Sequence, residues 1–340
     1  MSANSGSGSG SWLAAHGKLW YDDRWYRIAW IVWPQAIGLL LFVTLWLFHP
    51  AGQGFAPWGK PVAEKKDPPL PAPAPTPKPQ PLPLNEQTSD VLAPCKGEDY
   101  AGVIQACTAL LTSGNLRGEN IARGYWHRGW AYLMTKQYQL AMSDYNRAIS
   151  IAPGIPEFYN ERGLTWIDLE NNERAMQDFD QAILLKSDYA YPYMNRGVAL
   201  RNLKRPNEAL TALTKAVSLD PNLWWAYENR AFIYEEREDW RAMYNDANKL
   251  IELKPEYRMG YEFRGHAYLE AGQYQAAIND FTKAIDLDSQ AIYGWRMRGR
   301  AYYYLNQFDN AMSDLQAALR IDPKDNSTIS FINDVKRKRR

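Results

Sequence analysis

Cysteine and histidine are scarce in this chain. Of 340 residues only two are Cys, Cys95 and Cys107, and four are His. Structural zinc takes four ligands, and no His lies near the Cys pair, so a zinc site is a poor fit. The histidines, His16, His49, His127 and His266, are scattered, and only the last two fall in the regular part of the sequence. There is no His-Glu-x-x-His, no phosphate-cradling Gly loop and no nucleophile elbow. Metalloprotease, nucleotide-dependent and serine-hydrolase chemistry therefore have no residues to rest on, and no catalytic residue, cofactor or metal is expected. Net charge is lacking too: 39 Lys and Arg against 38 Asp and Glu leave +1. No overall field favours nucleic acid.

What the sequence does have is a period. Between residues 122 and 325 a 34-residue phrase recurs six times, marked by Arg-Gly at Gly129, Gly163, Gly197, Gly265 and Gly299, with Ala231 at the remaining place. In the first phrase Tyr125, Gly129, Tyr132, Ala141, Tyr145, Ala148 and Pro153 occupy positions 4, 8, 11, 20, 24, 27 and 32. Three-, four- and seven-residue spacings mark amphipathic helices. The apolar pattern breaks between positions 14 and 17, for example at Lys136-Gln137, which predicts a turn between two antiparallel helices. Small residues at positions 8 and 20 let the pair approach closely, and Pro near position 32 ends the second helix.

This spacing of aromatic, Gly, Tyr, Ala, Phe and Pro resembles the tetratricopeptide repeat family. The resemblance implies an all-α, right-handed solenoid of six helix-turn-helix repeats. One departure is Arg at position 7, where the family usually has Leu: Arg128, Arg162, Arg196, Arg230, Arg264 and Arg298. Position 23 is acidic in five copies, at Asp144, Asp178, Asp246, Asp280 and Asp314, and a ladder of Arg–Asp pairs is the structural reading. Ala212 interrupts it in the third repeat and leaves one nearby Arg for a partner. The fourth repeat diverges, with Met243 where a small residue is expected and Ala247 where an aromatic is expected, a swap that conserves volume. It also carries Glu228, Glu235, Glu236, Glu238 and Asp239. Such a run reads as a solvated face or, alternatively, a site for a basic partner.

The resemblance further implies that the first helix of each repeat lines a concave groove for a peptide or protein partner, through positions 2, 5, 6, 9, 12 and 13. Those positions include Trp126, His127, Trp130, Asn160, Tyr191, Asn195, Trp225, Asn229, Phe232, Glu262, Phe263, His266, Arg296 and Tyr303. Aromatic anchors with amide donors and acceptors suit an extended ligand. Half of these residues are expected to be exposed and the rest to pack between helices. Neutral Asn160 and Asn195 and acidic Glu228 depart from the cationic pattern of members that clamp a chaperone's carboxylate tail.

Outside the repeats, residues 1–24 form a Ser/Gly-containing segment expected to be disordered and cytoplasmic. Ile28 to Phe48, within 25–48, is a nearly unbroken apolar run of the ~20 residues that cross a bilayer. Aromatics flank it at Trp25, Tyr26, Trp46 and Trp58, as an interfacial belt does. Arg24 and Arg27 abut its start, which puts the N-terminus inside and the solenoid outside. Cations within reach are near parity, however, so the reverse topology, a cytoplasm-facing recruitment adaptor, stays open. A linker, 49–94, contains the Pro-rich run Pro68 to Pro83, which in polyproline II spans about 50 Å. It resembles the stalks of bacterial inner-membrane proteins that reach across the periplasm; an SH3-type ligand is the alternative.

Cys95 and Cys107 head the soluble region, 95–121, read as a capping half-repeat. They are either a disulfide, in an oxidising compartment, or buried thiols. Asp99 to Ser113 looks like the second helix of a repeat, with Val103, Cys107 and Leu110 at positions 20, 24 and 27. At the other end, 326–340 reads as a final helix with Ser327 as cap and Ile329, Ile332 and Val335 inward. The basic run Lys336 to Arg340 is either a solubilising tail or a contact for anionic lipid or an acidic partner. Together these features predict a single-pass bacterial inner-membrane protein whose solenoid is a periplasmic binding scaffold for an envelope complex.

Overall fold

A computed structural model describes residues 91–339. The expected span Ile28–Phe48, the Pro-rich run and Arg340 lie outside the described residues. Among the described residues no helix is long and apolar enough to cross a membrane.

The described chain is an all-α repeat solenoid of fourteen α-helices after one short 3-10 turn at Ala93–Cys95. Helix α1, Tyr100–Thr112, comes first. Six pairs follow: α2, Glu119–Met134, with α3, Tyr138–Ile151; α4, Pro156–Asp168, with α5, Asn172–Leu185; and α6, Ala190–Asn202, with α7, Pro206–Leu219. The later pairs are α8, Trp224–Glu236, with α9, Trp240–Leu253; α10, Arg258–Glu270, with α11, Tyr274–Leu287; and α12, Ile292–Tyr304, with α13, Phe308–Ile321. Helix α14, Asn326–Arg339, closes the array.

Each turn within a pair is tight because the residue at position 15 takes a left-handed backbone. Lys136, Glu170, Lys204, Glu238 and Asn306 have φ between 57° and 60°, and Gly272 has 73°. Only the fifth repeat uses glycine there, so the others carry the strain of a Cβ in that region. The packing within a pair is set by positions 8 and 24. A Cβ built on Gly163 would lie 2.5 Å from the Phe179 ring, and one on Gly265 2.9 Å from Phe281. The absent side chain is what lets the ring lie on the neighbouring backbone, where full burial of each ring contributes roughly 2–3 kcal/mol. In the fourth pair Ala231 and Ala247 face each other, and buried Met243 fills the space in the same cluster.

The position-7 arginines form a ladder with a second rail. Arg128, Arg162, Arg230, Arg264 and Arg298 each donate through Nε and Nη2 to the two carboxylate oxygens of Asp144, Asp178, Asp246, Asp280 and Asp314, at 2.5–2.9 Å. The remaining nitrogen, Nη1, reaches back to the preceding second helix: to Thr108, Asn146, Thr214, Asn248 and Thr282. These acceptors all stand at position 25, with Thr108 of α1 in the equivalent place. Each arginine thus ties its own repeat to the one before. The interrupted third rung frees no cation: Arg196 donates from Nε to Asp180, also at position 25, at 2.7 Å. The expectation of a spare arginine is corrected, because position 25 supplies an acceptor where position 23 does not.

The ends differ in detail from the sequence reading. Cys95 and Cys107 are buried side by side, Cα atoms 5.1 Å apart, within the span of a disulfide. At α14 the cap is Asp325, which accepts from the Ser327 N–H and the Thr328 hydroxyl; Ser327 is not the cap. Thr328, Ile332 and Val335 turn inward while Ile329 is exposed.

Candidate functional site: the inner face of the first helices

First helices of successive repeats pack directly on one another, α2 on α4, α4 on α6, α6 on α8, α8 on α10 and α10 on α12, whereas no contact of comparable extent joins second helices. Crowding on one side and fanning on the other makes the first helices the inner face. The structure places the fourteen sequence-predicted residues on these helices, but none is exposed. His127, Trp130, Asn160, Asn195, Trp225, Glu262, Phe263 and His266 are buried; Trp126, Tyr191, Asn229, Phe232, Arg296 and Tyr303 are half-buried. The expectation that half would be open to solvent is not met: eight are buried and six half-buried.

Three zones follow along this face. Over the first repeats Trp126 packs against Phe158 and buried Trp130, Leu164 and Ile167 extend the apolar surface. Burial, then Lys96 and Arg123, holds the His127 imidazole down at about 4. In the middle, Asn195 donates to Asn160 at 3.0 Å and Asn160 to Glu161 at 3.0 Å. Aromatics surround this zone: Tyr189 against Tyr191, Trp224 stacked on Trp225 with ring centroids 4.3 Å apart, and Phe232 edge-on to Phe263. Arg201 lies over the Phe232 ring, and Asn229 turns back on its own helix to the Trp225 carbonyl.

The third zone, across α8, α10 and α12, is charged. Glu235 accepts from Tyr293 and is 2.8 Å from His266 Nδ1, with Glu270 near the other ring nitrogen. Burial works against a charged His266, but the hydrogen bonds that the imidazole donates to Glu235 and Glu270 outweigh it and raise it above its ordinary value. Arg300 pairs with Glu270, and Arg296 with Asp325. Tyr257 donates to Glu228 at 2.5 Å, and Arg258 bridges Glu262 and Asp288.

Two buried carboxyl groups stand out. One oxygen of Glu161 and one of Glu262 have no hydrogen-bond partner among the described residues. Burial pushes Glu161 up to about 8, and burial raises Glu262 in spite of Arg258. Sequence reasoning named Glu262 but not Glu161, although Glu161 stands at position 6, one of the groove positions. The same positional signal points to Glu235, Glu270, Tyr293 and Arg300. Arg258 and Tyr257, at the seam between repeats, carried no signal. Among the described residues no cluster of His, Cys, Asp and Glu is arranged to hold a metal ion.

Repeated antiparallel helix pairs with a side-by-side inner row define a helical-repeat solenoid of the two-helix class. Residues 122–155, 156–189, 190–223 and 264–326 each match a tetratricopeptide repeat model. Residues 122–223 and 264–326 are therefore repeats of the tetratricopeptide family. No curated protein matches the sequence. Among solved structures, pilF of Pseudomonas aeruginosa is similar in fold, with a TM-score of 0.58 and 18% identity over 64% of this chain and 100% of that one. The APC/C hetero-tetramer Cut9-Hcn1 aligns with a TM-score of 0.54 and 13% identity over 73% of this chain. The match spans 54% of that structure's chain, about half its length.

Proposed function

We propose that this chain is a membrane-anchored scaffold that holds a protein or peptide partner along the inner face of its solenoid, in the assembly of a bacterial envelope complex. The observation that carries the binding role is the continuous row of six first helices, which lines up half-buried aromatic side chains such as Tyr191, Phe232 and Tyr303. Family membership supports the same role, since helical-repeat arrays use such extended concave surfaces for binding. Half-buried Tyr191, Phe232 and Tyr303 are anchors, while buried Asn160 and Asn195, bonded to Glu161 and to each other, hold the helices beneath them in register. The anchor rests on the apolar run Ile28–Phe48, and the reach rests on the Pro-rich stalk. The adjacency of Cys95 and Cys107 supports an oxidising, periplasmic setting for the solenoid, because such a pair closes to a disulfide there. The exposed basic end of α14, Lys336 to Arg339, is a secondary contact for anionic lipid or an acidic partner.

The test is crosslinking and affinity capture of the full-length chain from intact cells, compared with the Phe232→Ala, Tyr191→Ala double variant. An envelope protein recovered with the parent and lost with the folded variant supports the reading. Equal recovery with both, or none above background, overturns it. Thiol trapping in the same cells reads the topology: both cysteines blocked as one disulfide places the solenoid in an oxidising compartment, while both reactive favours the cytoplasm-facing arrangement.

A further inference from the structure

Three successive first helices meet on one imidazole. His266 of α10 places Nδ1 2.8 Å from Glu235 of α8 and 2.8 Å from the Tyr293 hydroxyl of α12. The same hydroxyl donates to Glu235 at 3.1 Å, so the contact closes as a triangle. On its other side the ring faces Glu270, with Nε2 3.6 Å away, and Glu270 continues to Arg300 of α12 at 3.3 Å. From α9 comes the Trp240 ring, 5.0 Å from the imidazole. Further charges on these helices are Glu228, bonded to Tyr257, and Arg296, over the Tyr293 ring. Glu262, paired with Arg258, is within electrostatic reach of Glu235. The earlier copies carry Trp130, Leu164, Val198 and Phe232 at the position of His266, so the earlier joints have no titrating group at this place.

A neutral imidazole has one N–H and no charge, whereas an imidazolium has two N–H groups and serves both carboxylates at once. Only the cation holds Glu235 by a charge-assisted bond while Glu270 is served too, and it leaves the Tyr293 proton to Glu235. In the neutral ring either Nδ1 competes with Glu235 for that proton, or Nε2 turns a lone pair on Glu270. We propose that His266 is a proton-operated clamp: charged, it draws α8 and α12 onto α10 and tightens the inner face of the last three repeats, and neutral, it releases them. The device is independent of which partner the inner face holds. Burial opposes the cation, but the bonds to Glu235 and Glu270 prevail and raise the ring above its ordinary 6.5. Glu270 is lowered in turn, chiefly by its bond from His266. The tightening is therefore complete below 6.5 and is lost as pH rises through the folded ring's higher value. Glu270 is exposed, which gives the proton a path to solvent.

Two exchange measurements on the full-length chain test the clamp. Deuterium exchange at the imidazole C2 position reads the His266 midpoint, which is expected above 6.5 and about one pH unit lower in Glu235→Gln. Amide exchange, corrected for its intrinsic rate, reads the joints. Between pH 5.5 and 8.5 the parent is expected to lose about threefold or more protection in α8, α10 and α12 beyond what Glu235→Gln loses. Burial raises Glu262 as well, and its titration acts in the same direction, so the variant supplies the comparison rather than the pH series alone. His266→Gln is expected to match the parent at pH 8.5 and to fall short of it at pH 5.5. An equal shortfall at both values marks a merely structural ring and overturns the proposal. A His266 midpoint at or below 6.5 overturns it too, as does equal pH dependence in the parent and Glu235→Gln. If Glu235→Gln does not fold, Tyr293→Phe replaces it. Protection of α12 is then expected to stop following the His266 titration while that of α8 continues, and an α12 that still follows it overturns the proposal.

Discussion

Arg196 donates to Asp180 across the seam between the second and third repeats, at 2.7 Å through one nitrogen. The other five ladder arginines grip a buried aspartate of their own repeat with two. Asp180 is about half exposed, whereas Asp246 is buried. The same side chain at the same repeat position is therefore held in two electrostatic settings. Burial keeps Asp178 and Asp246 above the usual carboxylate range even with an arginine alongside, so the closed rungs carry a desolvation cost that Arg196 avoids.

The first prediction separates the two settings. Arg230→Met strands a buried carboxylate and costs roughly 3 kcal/mol, and pairing it with Asp246→Leu returns stability to within about 1 kcal/mol of the parent. Arg196→Met costs under about 1 kcal/mol, because its partner is solvated. Urea midpoints of the four proteins decide it.

A second prediction concerns close approach. Gly163→Ala drives a methyl into the Phe179 ring and destabilises by about 1–3 kcal/mol. The fourth repeat shows a compatible arrangement, Ala at both positions with a larger residue at position 20. Gly163→Ala with Phe179→Ala and Ala175→Met recovers part of the loss, measured as melting temperature, whereas Phe179→Ala alone leaves a cavity and costs about 3–5 kcal/mol.

A third follows from the turn backbone. Glu170 and Glu238 sit at φ of 59° and 57°. Glycine accepts this region without a Cβ clash, so each Glu→Gly change stabilises by about 1 kcal/mol. The sign, read from denaturant midpoints, reverses the usual cost of adding glycine.

The fourth is a pH dependence. Glu161 rises from an ordinary 4.5 to about 8 on folding, chiefly through burial. Between those values the folded protein keeps a proton that the unfolded chain has released, so stability declines as pH climbs through this window. Glu161→Gln removes the decline and gains more at pH 8 than at pH 5. His127 acts in the opposite direction: lowered to about 4, it destabilises the fold as pH falls below 6.5, where the unfolded chain takes up a proton first. Thermal melts of parent and Glu161→Gln across pH 4–9 check both arms.

Much of this architecture was readable in the chain because a repeat states each rule six times. Gly129, Gly163 and Gly197 with their partners sixteen residues on, and the Arg–Asp rungs, hold at fixed spacing within one helix pair, so period alone exposes them. The role of position 25 was not readable: Thr108, Asn146 and Thr282 are ordinary polar residues until the preceding second helix is laid beside Arg128, Arg162 and Arg298.

The inner face divides in the same way. Its residues are assigned by position within the repeat, and Asn160, Glu262 and His266 were identifiable from that. How far they are covered, which oxygen of Glu161 or Glu262 goes unserved, and that Arg258 is shared with Asp288 depend on the distance between successive first helices. Sequence by itself determined the two-helix unit, its count and its internal contacts, since those are local and periodic. Only the tertiary structure decided burial and charge balance on the inner face, because both are set by the angle at which one repeat meets the next, and no single repeat encodes that angle.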